Sequence, residues 1–191
     1  MEPRATSVMV LLLLTAVTAG CATTPPSRYY TLTATTAVPV KSSVIAVSVG
    51  PVSVPSLVDR PQIVVTIGPN AVRLDEFNRW ASTLQDNFSR VIAENLVAIL
   101  GTSRVTRFPQ MSSADADYSI AIDVQRFESV PGKSAALDAA WTVRGMKAGT
   151  AQTGRTHVRE AVEDDSYQAL AAAHSRALAR LSQDIADVIA P

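Results

Sequence analysis

One cysteine, no surplus of charge of either sign and only 5% aromatic residues mark this 191-residue chain by what it lacks. A lone cysteine excludes an intrachain disulfide framework, so its position must say what it does. The 17 basic side chains are balanced by 17 acidic ones. A neutral surface has no excess of cations to displace the counterions of a nucleic acid, which argues against nucleic acid as a partner. Sparse aromatics beside abundant Ala and Val imply a core of small and β-branched side chains. Hydrophobic residues make up 47%, an ordinary share, and the length suits one domain of roughly 100–200 residues.

Part of that apolar content sits in one N-terminal run. Residues 8–18 (VMVLLLLTAVT) follow a short segment containing Arg4. The run fits the apolar region of a signal peptide and falls short of the ~20 residues that a membrane-crossing helix needs. Ala19 and Gly20 then lead directly into Cys21. Small residues before a cysteine form a bacterial lipobox: they give the peptidase access, and the thiol is the side chain that accepts diacylglycerol. Thr18 stands where an aliphatic residue is usual, and Glu2 weakens the positive charge beside Arg4. Ala22-Thr23-Thr24-Pro25-Pro26-Ser27 has the composition of a linker, not of a core strand. The expected organisation is therefore a signal peptide over 1–20, a lipidated linker over 21–27 and one domain over 28–191. Each buried methylene of a lipid contributes about 0.8 kcal/mol, so more than one acyl chain on Cys21 makes a stable anchor. Ala22, in place of the aspartate that retains lipoproteins at the inner membrane, permits sorting to the outer membrane.

Along the rest of the chain, strand and helix periodicities alternate. Strands are expected over 29–33, 44–49 and 63–67, with a brief partner over 71–74 after the turn at Gly68-Pro69-Asn70. Leu84, Phe88, Val91, Ile92, Leu96 and Ile99 recur at spacings of three and four, which predicts a helix over 84–100 stopped by Gly101. A short strand over 105–108 follows, then three longer ones over 118–127, 137–146 and 152–162. Ser166 is placed to cap a last helix over 167–189, whose apolar face carries Leu170, Ala173, Ala177, Leu181, Ile185 and Val188. The fold class that results is α+β: a mixed, largely antiparallel sheet with two long helices packed on it.

Catalytic chemistry finds little footing. The chain has no Gly-x-Ser-x-Gly, no phosphate-binding glycine loop, and no spacing of His, Cys or acidic residues suited to a metal. His157, near Glu160, Glu163, Asp164 and Asp165, reads as part of a solvated acidic turn. His174 reads as a partly exposed helix residue, and Asp115 with Asp117 as a turn. The expectation is a protein that is not an enzyme, with no cofactor and no metal. Arg60-Pro61 and Phe77-Asn78-Arg79-Trp80 have the Arg and aromatic content of protein contact surfaces. Arg60, Pro61, Arg79 and Trp80 are thus candidate partner-binding residues; the competing reading has Phe77 and Trp80 stapling the start of the first helix against the sheet.

With these residues in view, the chain resembles the ABC-type transport auxiliary lipoproteins, the paraquat-inducible protein C family. The likeness is carried by SRYYTL at 27–32, VGPVSVPSLVDRPQIV at 49–64, FNRWASTLQDNFSRVIAENLVAILGT at 77–102, DYSIAIDVQRFES at 117–129 and AHSRALARLSQDIA at 173–186. The resemblance implies a lipid-anchored subunit on the periplasmic face of a Gram-negative outer membrane. Its implied partners are an MCE-domain periplasmic protein, which forms a conduit for phospholipid or other hydrophobic cargo, and that protein's inner-membrane partner. The implied role is to dock or stabilise the conduit and support membrane integrity, with a homo-oligomer plausible for the family. A periplasmic lipid-binding shuttle is the alternative, and an envelope hydrolase the third reading.

Overall fold

In the computed structural model, residues 24–35, 43–110 and 115–190 are described. Cys21, the segment 1–20 and part of the linker lie outside them. The elements in chain order are β1 (Arg28–Tyr30), β2 (Val47–Ser53), β3 (Gln62–Gly68), β4 (Ala71–Trp80), α1 (Leu84–Leu100), β5 (Val105–Arg107), β6 (Tyr118–Val130), β7 (Ser134–Gly145), β8 (Ala151–Ala161) and α2 (Tyr167–Ile189).

Both helices start and stop where the side chains dictate. Thr83 Oγ1 accepts the Asp86 amide, so one orphan donor of the first turn of α1 is satisfied, and Asp86 sits favourably at the positive end of the helix. Gly101 ends the helix at φ 61°, a left-handed conformation that costs glycine nothing. Ser166 caps α2 in the same way, accepting the Ala169 amide at 3.0 Å.

The strands form two sheets where the sequence pattern suggested one. A three-stranded sheet has the order β1-β4-β3, and a five-stranded sheet the order β5-β2-β6-β7-β8. The long ladders β3–β4, β6–β7 and β7–β8 are antiparallel, while β1–β4, β2–β5 and β2–β6 are short and parallel. Strand β4 runs to Trp80, well past the expected end at residue 74. The register with β3 jumps between Ile63↔Asp75 and Gln62↔Arg79, and beyond that jump β4 continues by pairing with β1. A partner 50 residues earlier in the chain leaves no trace in local alternation, so periodicity could not reveal it.

One core joins the helices to the inner faces of both sheets. Phe88, Ile92 and Leu96 of α1, Leu178, Leu181 and Ile185 of α2, and Ile120 and Leu137 of the larger sheet are all fully buried. Each such side chain stabilises the fold by roughly 1.5–3 kcal/mol relative to exposure. The helices also hold the chain that follows the linker. Leu32 N donates to Asn87 Oδ1 (3.3 Å), Thr33 N to Ser175 Oγ (3.1 Å) and Thr35 N to Asn95 Oδ1 (3.3 Å), while Arg90 Nη2 donates to the Leu32 carbonyl at 2.6 Å. These buried polar groups lie between two apolar helices because an extended strap runs there and its amides need acceptors.

Candidate docking surface

The turn after β2 folds back on itself: the Val58 and Asp59 amides donate to Pro55 O, and the Arg60 amide to Val58 O. Trp80 N then donates to Pro61 O at 2.7 Å, which ties this loop to the end of β4. A hollow of about 360 Å³ results, lined by Asp59, Arg60, Pro61, Trp80, Ala81, Ser82 and Thr83. The fold thus brings Arg60, Pro61 and Trp80 together. Arg79 is next along β4, in register with Tyr29 on one side and Gln62 on the other, and strand alternation turns its side chain away from that of Trp80.

Trp80 serves mainly in packing: it is 5% exposed, with its ring centroid 6.2 Å from that of Phe127. Phe77 is 38% exposed and does not join it in a staple. The Nε atoms of Arg60 and Arg79 are shielded from solvent without a hydrogen-bond partner among the described residues. Shielded guanidinium donors that are left unpaired are unusual.

His174 corrects the sequence reading. It is wholly buried, its ring stacked on Phe127 at 3.8 Å and its Nε2 2.8 Å from Ser129 Oγ. Burial pushes its pKa down to about 3, so the imidazole is neutral. The spacing Leu170, His174, Leu178, Leu181 puts it on the apolar stripe, a signal present in the sequence but outranked there by the residue's polarity. A Ser–His contact invites comparison with nucleophilic catalysis. Here Nδ1 has no partner among the described residues, so none of them orients the ring as a third group, and a base with so low a pKa is poorly matched to neutral solution. The arrangement is a packing device with one internal hydrogen bond.

His157 is exposed on β8, with Nδ1 3.1 Å from Asp138 Oδ1. Its neighbour is thus a carboxylate across the ladder and not the acidic turn after it. Asp117 receives the Ala46 amide and Lys147 Nζ, and the Lys147 ammonium first, then the Ala46 amide, hold its carboxyl below the usual range. No group of three or more potential metal ligands occurs among the described residues. The small sheet is fastened to α2 by Asp75. Burial alone would raise this carboxyl, but hydrogen bonds from the Tyr167 hydroxyl (2.6 Å) and from Asn78 and Phe77 outweigh it, so the net shift is downward. Burial, and then this bond, push the Tyr167 phenol up to about 12.

An α+β domain of two sheets and two helices is the architecture of several solved proteins. One crystal structure of an uncharacterized protein superposes with a TM-score of 0.72 at 18% identity, covering 87% of this chain and all of that one. Protein XCC0632 from Xanthomonas campestris superposes with a TM-score of 0.59 at 21% identity, covering 83% and 92%. At these identities the likeness establishes the fold. No curated protein sequence matches the chain. The family model described as "ABC-type transport auxiliary lipoprotein component" matches residues 30–186. The chain belongs to that family. Among the described residues no helix is long and apolar enough to cross a membrane.

Proposed function

We propose that this protein is a non-catalytic docking subunit of an MCE-type intermembrane lipid transport system. In this reading it is anchored through lipids on Cys21 to the periplasmic face of the outer membrane. It docks or stabilises the outer end of a conduit formed by an MCE-domain protein, which works with an inner-membrane partner, and so supports membrane integrity. Self-association into a homo-oligomer is part of the same proposal.

The observation that carries this reading is the family match from residue 30 to residue 186, beginning nine residues after a lipobox cysteine. The hollow beside Arg60, Pro61 and Trp80 supports it, because it is a recess at a loop–strand junction lined by an arginine, a proline and a tryptophan. So does the strap at 31–35, which would pass the pull of an anchor directly into the helix pair. Purification from detergent-solubilised envelopes tests the proposal: an MCE-domain protein should co-elute in stoichiometric amount. Recovery of the lipidated chain alone under mild detergent would count against it.

A further inference from the structure

The large hydrophobic side chains that this fold leaves exposed are not scattered. There are ten among the described residues. Five of them, Tyr29, Leu57, Val72, Leu74 and Phe77, gather on the small sheet and the loop beside it, each between 37% and 63% exposed. Soluble domains rarely leave such a cluster open without a use for it.

Strand register puts these side chains on one face. Val64 pairs with Leu74 and Thr66 with Val72, so these four point away from Ile63 and Val65, which reach the core. Leu57 and Val72 line one hollow together with Val64 and Thr66, which places the loop residue beside the strand. Beyond the bulge in β4, Asn78 turns inward to bond Tyr30 and Asp75, and Trp80 is buried. Phe77 alternates with these two and so points outward. Tyr29 does the same, because its register partner Arg79 stands between Asn78 and Trp80. The polar members of the face are few. Gln62 and Arg79 share it, and Glu76 beside it accepts from Gln62 Nε2 at 3.2 Å. The salt bridges of the described residues lie on the helices, the larger sheet and its loops, none on the small sheet.

Position selects what covers this face. Tyr29 follows Cys21 by eight residues, at most roughly 27 Å of extended chain. Val72 stands seven residues from Arg79, the partner of Tyr29, or roughly 23 Å along the strand. With lipids on Cys21, the face can therefore lie flat on the leaflet that holds them without straining the linker. The tether also keeps that surface at high local concentration, whereas a protein partner has to be met by diffusion. Tyr29 fits the boundary, since a ring that is apolar at one end and hydroxylated at the other suits the headgroup level.

We propose that the outer face of the small sheet rests on the membrane leaflet that holds the Cys21 lipids, with Tyr29, Leu57, Val72, Leu74 and Phe77 at the level of the headgroups. The proposal rests on the lipidated-cysteine part of the reading above and not on the identity of the docked conduit. One covalent contact and one through this face together fix how the domain is oriented on the membrane, which a linker alone does not.

Photocrosslinking on a chemical tether tests it. A benzophenone amino acid replaces Val72 or, as a control, the exposed Thr153 of β8 in the mature chain. Cys21 is the chain's one cysteine, so it couples specifically to maleimide-bearing phosphatidylethanolamine in vesicles of phosphatidylethanolamine and phosphatidylglycerol. The outcome then does not depend on acylation in the cell, which palmitate labelling reads separately, so failure of the anchor and failure of this face are told apart. Phospholipid adducts, identified by mass spectrometry, are expected from position 72 at least fivefold more often than from position 153. Leu57→Glu combined with Phe77→Glu should cut the adducts from position 72 at least fivefold with an unchanged unfolding midpoint, and Leu57→Ser with Phe77→Ser serves should the charged pair not fold. Equal lipid adducts at the two positions, or none at position 72, would overturn the proposal. So would adducts from position 72 to a second copy of the chain in place of lipid, or, in living cells, to another protein in place of lipid.

Discussion

His174 is neutral inside the native protein but protonates freely once the chain unfolds. Its folded pKa lies near 3, below the ordinary value of about 6.5. Between these values the unfolded state binds a proton that the native state refuses, so stability is greatest above pH ~6.5 and falls as pH drops towards 3. This one residue can account for up to about 5 kcal/mol of acid sensitivity. His174→Gln, which keeps a hydrogen-bonding group near Ser129, should flatten that part of the profile in denaturant titrations at pH 7, 5 and 4; an unchanged slope would contradict this assignment. Asn87 makes a second residue-scale case. Its Oδ1 accepts from the buried Leu32 amide and from Arg90. Asn87→Ala should therefore lower stability by about 1–3 kcal/mol, since the amide loses its acceptor in a place water does not reach. Equilibrium unfolding measures it. Neither role could be read from residue type: a histidine among alanines looks solvated, and an asparagine on an apolar helix face looks misplaced, until the strap that needs it is known.

The helices were legible almost to the residue, because caps and three-and-four spacings are local facts. Gly101 and Ser166 both act where their chemistry suggests. The sheets were legible as strands but not as partners. Nothing in 71–80 announces that β4 will bridge β3 and β1, and nothing in 47–53 shows that β2 departs from β6 after Ser53. Tightness between strands was likewise hidden. Gly154 lies opposite Trp141, where an added Cβ would come within 2.2 Å of the indole. Trp141 is fixed there by its Nε1 bond to Thr156 Oγ1, which in turn donates to Asp184 of α2. Gly154→Val should thus cost more than the ~1–3 kcal/mol typical of overpacking, because the indole cannot turn aside without breaking that chain. Thermal unfolding of the variant should show a large drop in midpoint with the far-ultraviolet spectrum retained. The strap predicts a further loss: Leu32→Ala should destabilise by about 2–5 kcal/mol, as a fully buried leucine wedged between two helices leaves a cavity.

At the scale of the whole molecule, the candidate contact residues were only partly legible. Arg60, Pro61 and Trp80, from two segments far apart in the chain, meet around one hollow. Their meeting depends on the Trp80–Pro61 backbone bond, which spans 19 residues and is invisible in either segment alone. Trp80 faces inward, so Arg60 and Pro61 offer more of the accessible surface. Cys21, the proposed lipid site, gives a direct prediction for the intact cell. Cys21→Ala should abolish incorporation of labelled palmitate and move the protein from the membrane to the soluble periplasmic fraction, with its fold unaffected.

The central claim, that the anchored domain docks a transport conduit, is tested most directly by site-specific photocrosslinking in living cells. A photoreactive amino acid replaces Arg60, with a half-buried control at Gln183 on α2, and the adducts are identified by mass spectrometry. The account predicts an MCE-domain protein crosslinked from position 60 and not from position 183. Adducts from position 60 that contain only peptidoglycan enzymes or porins would contradict it.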